Sequence, residues 1–581
     1  MRRTPLIALS ALLIATGSVR GSWGIAPAAP PTPAERSARA DALLKSWTAG
    51  AGAGCSAAVD LAGQTVWSGV SGDADLEHAA HITSTTPFDV GSLAKPVTAL
   101  AVLLLVQDGK LALDDSIADR LPDLPAAYRP VHIRHLLSHT SGVPDWQDLL
   151  QGLAGFRRDD EVREDDVLRA LRGRRALNFA PGTQEQYSNS NYVLLGELVR
   201  RISGMPLAEL ARTRIFTPLE MRDSRIVDDH TALIPGVANG YQHSDEPGPG
   251  GSSWELVPRT NDLVGPQNLY TTAGDLLKLL RAQTRSPWRE LFARLQEPAT
   301  LAGGKPALDA AGRRAGHGVW IQTLAGQTLL GHSGYTHGTR AGAFRVQETG
   351  AAVALLCNRN DVDPDLQAMQ LLDVFTDSRW ASLWREKPAG APPIEPAPAG
   401  ITHFAGVYQL PGWGMTYRLI ATAEGLILNR PGRKLVALTD GSYTVTDAPG
   451  TRIRLEASAG GPRMVLLSAG ATLPEIYNRV SSEDHYSPSL GEIQQRAGCY
   501  ESPELGSSVV LHPGDDKTLR LVDEKGRAID FQPMLPDLWR GGTQILDFDP
   551  SDGTAVRGFF RSTEIAWRVW YRRRPCVGPE S

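Results

Sequence analysis

Ser92 and Lys95 stand three positions apart at the head of a helix-length apolar run, and this pairing restricts both the architecture and the chemistry of the chain. Residues 97–106 carry no charge, which is typical of a helix buried on every side. Because a helix turns once in about 3.6 residues, the lysine nitrogen can reach the serine oxygen on the same face. A lysine there can draw off the serine proton, and the helix N-terminus favours an anionic acyl-transfer intermediate.

A second motif, Tyr187-Ser188-Asn189, is predicted to lie in a loop just before an amphipathic helix that starts at Tyr192. A phenol beside the Ser–Lys pair can serve as a general base if the positive charge of the lysine lowers its pKa toward the working pH. The side-chain amide of Asn189 can hold the lysine or a substrate carbonyl. This motif therefore supplies candidate partners for the serine and the lysine.

A third motif, Gly331-His332-Ser333-Gly334, lies between two strand-like runs at residues 327–330 and 341–346. We predict an inner edge strand here, on which Gly334 lets a substrate backbone approach closely. A nearby backbone amide, that of Tyr335, would complete an oxyanion hole. Each motif alone is also typical of ordinary structure, such as a buried tyrosine or a histidine in a polar turn. Their joint occurrence in the order Ser-x-x-Lys, Tyr-x-Asn and His-x-Gly favours a catalytic site.

With these motifs the chain resembles the serine beta-lactamase and penicillin-binding superfamily, in its class C beta-lactamase, D-aminopeptidase and esterase branch. The resemblance covers about residues 37–378 and includes the segments 133–142, 269–276 and 351–358. It implies an α/β (α+β) transpeptidase fold, in which an antiparallel sheet is flanked by helices. It also implies that Ser92 attacks, that Lys95 and Tyr187 shuttle its proton, and that amides near Ser92 and Tyr335 hold the oxyanion before water releases the acyl-enzyme.

The third motif carries His332 where the beta-lactamases carry a lysine, as the D-aminopeptidase-like members do. A histidine with an ordinary pKa near 6.5 is mostly neutral at neutral pH, whereas a lysine is charged. We therefore expect a substrate without a free carboxylate at that subsite, as in N-terminal peptide cleavage or in amides and esters. Arg340, eight residues further on, is the residue that could restore the missing charge.

Two classes of function are consistent with these residues. The first is a serine hydrolase that acts on a small peptide, amide or ester. D-aminopeptidase-like activity leads within that class, and beta-lactamase, D,D-carboxypeptidase and carboxylesterase activities are the alternatives. The second class is a non-catalytic protein that binds cell-wall peptide. Since all three motifs are intact, we expect the hydrolase.

The composition is that of a globular protein with several domains. The 581 residues are 42% hydrophobic and 21% charged, which is enough for about three domains with a core each. The formal net charge is only -5 and residues of both signs are interspersed, so nucleic acid is not an expected partner. No metal or other cofactor is expected, and a homodimer is left open.

The N-terminus is typical of a secretory signal peptide, which we place at residues 1–21. Met1-Arg2-Arg3 is a basic region, and the apolar run 6–15 is too short to span a bilayer stably. No cysteine follows this run, so a lipid attachment site is not expected. A retained membrane anchor is the alternative. We expect a periplasmic or secreted protein without a membrane span after cleavage.

An exported protein can form disulfides, and this chain has four cysteines. Cys55 opens the first predicted strand of the hydrolase domain and Cys357 closes the last one. In the resembled family those two strands are antiparallel neighbours, which implies a bonded pair. Free buried thiols are the alternative for these two residues. Cys499 and Cys576 bracket the final domain in the same way, and we expect a disulfide between them.

Beyond the hydrolase domain, placed at residues 37–380, a Pro/Ala-rich linker at 387–400 leads to two smaller units. The sequence Ala405–Gly414 recurs 92 residues later as Ala497–Gly506 with five identities in ten positions, which indicates a duplicated domain. Short alternating segments punctuated by Gly, Asp and Pro favour antiparallel barrels. We place these at residues 401–480 and 494–577, and they resemble the two C-terminal beta-barrel domains of the D-aminopeptidase subgroup.

Overall fold

A computed structural model describes most of the chain, namely residues 30–48, 52–244, 253–309, 311–385, 400–411, 415–423, 425–429, 433–446, 448–467, 475–483, 486–549, 556–563 and 566–576. The predicted signal peptide at 1–21 and all but the last residue of the predicted linker at 387–400 lie outside these residues. Among the described helices, none combines the length and the apolar character that a bilayer span requires.

The strands of the hydrolase region are β1 (Cys55–Leu61), β2 (Gln64–Ser71), β3 (Asp73–Asp75), β4 (Ala80–His81), β5 (Phe88–Asp89), β6 (Arg225–Ile226), β7 (Gly240–His243), β8 (Trp254–Val257), β9 (Leu269–Thr271), β10 (Arg314–Ala315), β11 (Trp320–Leu324), β12 (Gln327–Tyr335), β13 (Arg340–Val346) and β14 (Ala352–Cys357). Its α-helices are α1 (Pro33–Trp47), α2 (Ala94–Gln107), α3 (Ile117–Arg120), α4 (Ile133–Leu137), α5 (Glu164–Gly173), α6 (Asn189–Ser203), α7 (Leu207–Ala211), α8 (Ala273–Ala282), α9 (Trp288–Leu295), α10 (Pro364–Thr376) and α11 (Trp380–Arg385). Seven strands form one antiparallel sheet in the order β10-β11-β12-β13-β14-β1-β2.

This sheet is covered by helices on both faces, and β14 shows why. Successive side chains of a strand point to opposite faces, so Val353 and Leu355 pack into the cluster that holds α1 and α10. Ala354 and Leu356 pack into the larger cluster that holds α2. Every residue of β14 is therefore buried. The helix-flanked antiparallel sheet confirms the predicted α/β (α+β) fold class.

The apolar run after Ser92 forms α2, whose residues 94–105 are all buried. A short 3-10 turn at Gly91–Leu93 precedes it and carries Ser92. Helix α2 packs in the same cluster as residues of α4, α6 and α9. An uncharged helix surface suits this position, because no side of α2 faces water over these residues.

The first C-terminal unit is an eight-stranded antiparallel sheet whose two end strands meet. Its strands are β15 (Gly406–Gln409), β16 (Thr416–Thr422), β17 (Gly425–Leu428), β18 (Leu435–Ala437), β19 (Tyr443–Val445), β20 (Ala448–Glu456), β21 (Arg463–Leu467) and β22 (Glu475–Ser481). Their order is β17-β16-β15-β22-β21-β20-β19-β18. A single bridge between Ile427 and Lys434 joins the end of the sheet at β17 to the start of β18.

The second C-terminal unit, called here the terminal barrel, is a closed barrel. It follows α12 (Leu490–Arg496), and its strands are β23 (Gly498–Ser502), β24 (Ser507–Pro513), β25 (Leu519–Asp523), β26 (Ala528–Leu535), β27 (Leu538–Gly541), β28 (Gln544–Phe548), β29 (Gly558–Ser562) and β30 (Val569–Arg574). Pairing of β23 with β30 closes the ring.

The two repeated sequence segments occupy matching places in the two units. Each forms the first strand of its unit, and each strand begins with a glycine at positive φ, Gly406 at 138° and Gly498 at 145°. In both, the tyrosine two positions later donates its hydroxyl to the carbonyl four residues before it, Tyr408 to Phe404 and Tyr500 to Arg496, each at 2.7 Å. These shared contacts support the interpretation as a duplicated domain.

Disulfides fasten the first and last strands of the hydrolase sheet and of the terminal barrel. Cys55 and Cys357 are directly opposite each other on β1 and β14, and their sulfurs are bonded. Cys499 and Cys576 are bonded in the same manner at the ends of the terminal barrel. The alternative, free thiols at Cys55 and Cys357, is therefore wrong.

The terminal barrel packs firmly onto the hydrolase domain, at a segment that runs into the wall of the active site. Arg561, which is fully buried, donates to the carbonyl oxygens of Leu153 and Gly152, both at 3.2 Å. The hydroxyl of Tyr571 donates to the Leu153 carbonyl at 2.7 Å. Apolar residues of the barrel and of the hydrolase domain belong to one hydrophobic cluster. The barrel is thus built into the hydrolase rather than attached by a linker alone.

Candidate active site

The side chains of Ser92 and Lys95 are in direct contact at the start of α2. The Lys95 ammonium lies 2.9 Å from Ser92 Oγ, 2.8 Å from Asn189 Oδ1 and 3.1 Å from the carbonyl oxygen of Pro266. Three acceptors therefore surround Nζ. A neutral amine in this place can donate to Asn189 and Pro266 and direct its lone pair at the serine hydroxyl.

Lys95 is fully buried, and burial is the main cause of a pKa lowered to about 7. The nearby carboxylate of Asp145 acts in the opposite direction and limits the decrease. At neutral pH a large fraction of Lys95 is consequently uncharged. The lysine can then accept the serine proton without first losing one of its own.

Tyr187 touches the same serine oxygen from another direction. Its hydroxyl donates to Ser92 Oγ at 2.8 Å, and its ring stacks on that of His139 with centroids 4.3 Å apart. Burial raises the pKa of Tyr187 above its ordinary value. This corrects the expectation that the lysine charge lowers it, because burial outweighs the effects that lower the pKa of this phenol. Tyr187 is therefore a proton donor in the resting site.

Asn189 is the first residue of α6, so the helix begins three residues before the predicted start at Tyr192. Its backbone N–H donates to Asp145 Oδ2 at 2.5 Å, and the N–H of Gln147 donates to the other oxygen at 2.8 Å. Burial raises the pKa of Asp145 to about 6. Asp145 thus holds the start of α6, and with it the amide that contacts Lys95.

The third motif lies inside one strand rather than between two. Strand β12 runs without interruption from Gln327 to Tyr335, because its backbone pairs with β11 at its start and with β13 from Leu329 to Tyr335. On its other side β11 pairs only as far as Gly331. The predicted edge strand is therefore wrong for residues 327–331. It holds for residues 332–335, which leave one backbone edge open beside Ser92.

Gly334 allows the nucleophile turn, and not a substrate, to approach the strand. A Cβ atom at position 334 would lie 1.8 Å from the carbonyl oxygen of Val90 and 3.2 Å from the Ser92 nitrogen. Across the contact, Gly91 has a φ of 50°, and a Cβ there would lie 3.1 Å from the Tyr335 nitrogen. Two glycines thus let the turn that carries Ser92 lie directly on β12, which corrects the predicted role of Gly334.

The backbone amide of Tyr335 points to the open edge of β12. Thr336 N–H bonds to the Thr339 carbonyl and Gln347 N–H to the Thr328 carbonyl, so even-numbered residues of β12 form the hydrogen-bonded pairs with β13. Pairs alternate in an antiparallel ladder, and the N–H of Tyr335 must therefore point away from β13. This N–H lies next to the turn that carries Ser92, so the backbone amides of Ser92 and Tyr335 can both donate to the oxygen of a substrate carbonyl.

His332 is a buried, uncharged residue behind the catalytic pair. Its ring stacks on that of Trp320 on β11, with centroids 4.2 Å apart. Burial and the neighbouring Lys95 hold the pKa of His332 well below 6.5. Arg340 lies on β13 beside the ring of Tyr335, and its Nη1 donates to the carbonyls of Thr336 and Thr339. Neither His332 nor Arg340 lines the active-site cavity.

A cavity of about 520 Å³ opens at Ser92 and contains part of the predicted site. Ser92, Asn189 and Tyr335 line it directly. Lys95, Tyr187 and Gly334 lie behind this surface, in contact with Ser92 or its turn. Most of the remaining lining comes from the segments 146–162, 237–240, 256–261 and 336–339.

Several residues of the site were not predicted from the sequence. His139, which stacks on Tyr187, and Asp145, which holds Asn189, lie in or just after the segment 133–142 that carried the resemblance. Their place in or next to this segment was the one feature of the sequence that pointed to these two residues. The Pro266 carbonyl and the ring of Trp320 carry no motif, so only their place in the fold reveals them.

Comparisons with known proteins agree with this geometry. The Beta-lactamase family model matches residues 40–376. The D-aminopeptidase of Cereibacter sphaeroides is 26% identical over 548 residues, covering 90% of this chain and 96% of that protein. Penicillin-binding protein 4* of Bacillus subtilis is 33% identical over 173 residues, covering 29% of this chain and 38% of that protein. The crystal structure of SurE, at 22% identity, covers 77% of this chain and 99% of that chain with a TM-score of 0.55, and shows the fold alone.

The family match includes Ser92, Lys95, Tyr187 and His332 and spans more than half of the chain. It coincides with the helix-flanked sheet on which these residues are assembled. The chain therefore belongs to the beta-lactamase family and is a serine hydrolase of the beta-lactamase-related type.

Proposed function

We propose that the protein hydrolyses small peptides, amides or esters through an acyl-enzyme on Ser92, with a D-aminopeptidase-like preference for substrates cleaved at their N-terminal residue. The observation that carries this proposal is the contact of Ser92 Oγ with both Lys95 Nζ, at 2.9 Å, and Tyr187 Oη, at 2.8 Å. One oxygen thus has a proton acceptor and a proton donor at once, which nucleophilic catalysis requires.

In acylation, Ser92 Oγ forms a bond to the substrate carbonyl carbon and its proton passes to neutral Lys95. The carbonyl oxygen becomes an oxyanion between the amides of Ser92 and Tyr335. The bond to the leaving group then breaks, and the proton reaches the leaving group through Lys95 and the Tyr187 hydroxyl. Tyr187 is protonated in the resting site, since burial raises its pKa, and is suited to the donating step.

In deacylation, water takes the place of the leaving group. Lys95 and Tyr187 accept its proton while its oxygen attacks the ester carbon. The bond to Ser92 Oγ breaks, and the serine regains a proton from the same pair. The acid product leaves, so the protons balance over the cycle and no metal or cofactor takes part in the proposed steps.

The charge around β12 supports a substrate without a carboxylate at this subsite. His332 is buried and neutral, since its pKa lies well below 6.5. Arg340 does not line the cavity, and its Nη1 is bonded to two carbonyl oxygens. Neither His332 nor Arg340 therefore supplies the cation at β12 that would favour penicillins or peptide C-termini. The similarity to the D-aminopeptidase over 90% of this chain supports the same substrate class.

We further propose that the protein is exported to the periplasm or secreted. Disulfides are typical of oxidising compartments, and two of them fasten the described chain. Both would be reduced in a typical cytosol. Finding the protein in the periplasmic or culture fraction of its host, with a mature N-terminus near residue 21, would test this.

The test of the catalytic proposal is Ser92→Ala, assayed on D- and L-amino-acid anilides, a short-chain ester and a cephalosporin. We expect a loss of turnover by a factor on the order of a thousand or more, with the fold retained. Ser46→Ala, at an exposed position of α1, is the matched control and should keep full activity. Mass spectrometry of quenched wild-type reactions should find the acyl group on the peptide that contains Ser92. Near-wild-type rates in Ser92→Ala would contradict the acyl-enzyme assignment.

A further inference from the structure

A second cavity lies between the hydrolase domain and the terminal barrel. Its volume is about 450 Å³, within the range of small-molecule sites, which often lie at domain boundaries. Residues 174–178 form the hydrolase side of it, and the barrel supplies the rest. It shares no lining residue with the cavity at Ser92. The cavity is therefore a separate feature of the two-domain contact.

A buried ion pair forms the floor of this cavity. Arg174 is 1% exposed, and its Nη1 donates to Glu504 Oε2 at 2.6 Å. Its Nη2 donates to the carbonyl oxygen of Trp567 at 2.7 Å, while its buried Nε has no acceptor among the described residues. Both domains contribute to this floor. Its geometry is fixed by the domain contact, so the cavity exists before any ligand arrives.

Three aromatic rings form the apolar wall of the cavity. Phe560 and Trp570 face each other across β29 and β30, with ring centroids 4.9 Å apart. Trp567 is almost completely buried and lies next to them in the lining. Flat rings of this kind provide a large contact area to another planar group at little cost in side-chain entropy.

Arginines form the rim. Arg568 lies over the ring of Phe560 at 4.0 Å and Arg572 follows on β30. Their acidic partners, Asp547 and Glu501, do not line the cavity. Arg175 forms no ion pair with any described acidic residue. Counting Arg174, four arginines and one glutamate face the cavity, and that glutamate is already paired with Arg174. Among the described residues of the lining, Arg175 therefore supplies a positive charge that no acidic partner neutralises.

We propose that this cavity binds an organic anion, namely a carboxylate carried on a flat ring. The ring would stack on Trp570, since Arg568 already covers a face of Phe560, and the carboxylate would accept hydrogen bonds from Arg175 and Arg568. A guanidinium binds a carboxylate through two parallel N–H groups, and stacking on an aromatic ring orients it for this contact. This proposal does not depend on the chemistry at Ser92.

The test is calorimetric titration of the Ser92→Ala protein, in which acyl transfer cannot contribute. We expect 3-phenylpropionate to bind saturably with a Kd of about 1 mM or tighter. The uncharged 3-phenylpropionamide should bind at least about tenfold more weakly. Equal binding of the amide would overturn the role of charge. Equal binding of inorganic phosphate would overturn the role of the ring, and no saturable binding up to about 10 mM would overturn the proposal itself.

Substitutions of lining residues test whether the ligand binds in this cavity. Arg175→Gln should weaken binding by about fivefold or more, since it removes an unpaired guanidinium. Trp570→Ala should do the same, and Trp570→Leu, which fills more of the space but has no ring, serves if the alanine variant does not fold. Arg557→Gln, which alters a barrel arginine that is 70% exposed and lies outside the cavity, is the control and should change nothing. Binding that is unchanged in both Arg175→Gln and Trp570→Leu would refute the assignment.

Discussion

Gly334→Ala tests whether the contact between β12 and the nucleophile turn sets the geometry of catalysis. The added Cβ would lie 1.8 Å from the Val90 carbonyl oxygen, whereas a carbon–oxygen contact needs about 3.3 Å. Strand and turn must therefore separate by about 1.5 Å, because both clashing groups are backbone and neither can rotate away. That movement separates the Tyr335 amide from the Ser92 amide.

We expect kcat/KM to fall at least about 100-fold, since a displacement of about 1 Å or the loss of one oxyanion donor each costs about that much. The overpacked contact should also lower the free energy of unfolding by about 1–3 kcal/mol. Activity would be measured on a D-amino-acid anilide below the melting temperature of the variant, with circular dichroism to establish that it is folded.

Gly274→Ala is the matched control for this prediction. Gly274 lies inside α8, and a Cβ there would meet its nearest neighbour at 3.9 Å, an ordinary contact. We expect unchanged activity and a stability gain of about 0.5–1 kcal/mol, because alanine favours helix more than glycine does. A folded Gly334→Ala enzyme with wild-type kcat/KM would show that the close contact is not needed for catalysis.

Three further predictions concern charge and covalent structure. Activity should rise with pH through about 7, because burial lowers the pKa of Lys95 to that value and only the neutral amine can accept the serine proton. A kcat/KM profile that does not fall as the pH drops below about 7 would contradict this. His332→Lys should improve hydrolysis of a cephalosporin relative to a neutral D-amino-acid amide, by adding the cation that β12 lacks, and an unchanged ratio would refute the carboxylate argument. Replacing Cys499 and Cys576 together by serine should lower the free energy of unfolding of the terminal barrel by about 2–5 kcal/mol in urea titrations, whereas equal stability would show that the bond does not constrain the unfolded chain.

The resemblance to a known family was sufficient to predict the fold class, and helical spacing was sufficient to predict the contact between Ser92 and Lys95. Helical periodicity relates Ser92 to Lys95 wherever the helix lies. The error at Gly334 has a different origin. Its partner, Val90, is 244 positions away in the chain, and periodicity contains no information on which backbone packs against a strand.

The direction of the pKa shift at Tyr187 was also beyond a sequence-based argument. A lysine charge and burial act on a phenol in opposite directions, and the balance depends on how much water the folded site admits. Burial is the largest cause of the pKa shift at both Tyr187 and Lys95 in the folded site. Asp145 could not be distinguished from a surface carboxylate for the same reason.

The first and last strands are neighbours in the hydrolase sheet and again in the terminal barrel, and this affects how such a chain can be rearranged. Helices near the two ends of the hydrolase domain also touch, since Arg36 on α1 donates to the Val374 carbonyl on α10 at 2.5 Å. A unit whose two ends lie together can be inserted, duplicated or circularly permuted without rethreading its interior. A circularly permuted hydrolase domain that starts at the Ala62–Gly63 turn between β1 and β2 should therefore still form the same site, provided that a short peptide joins the original ends of the domain.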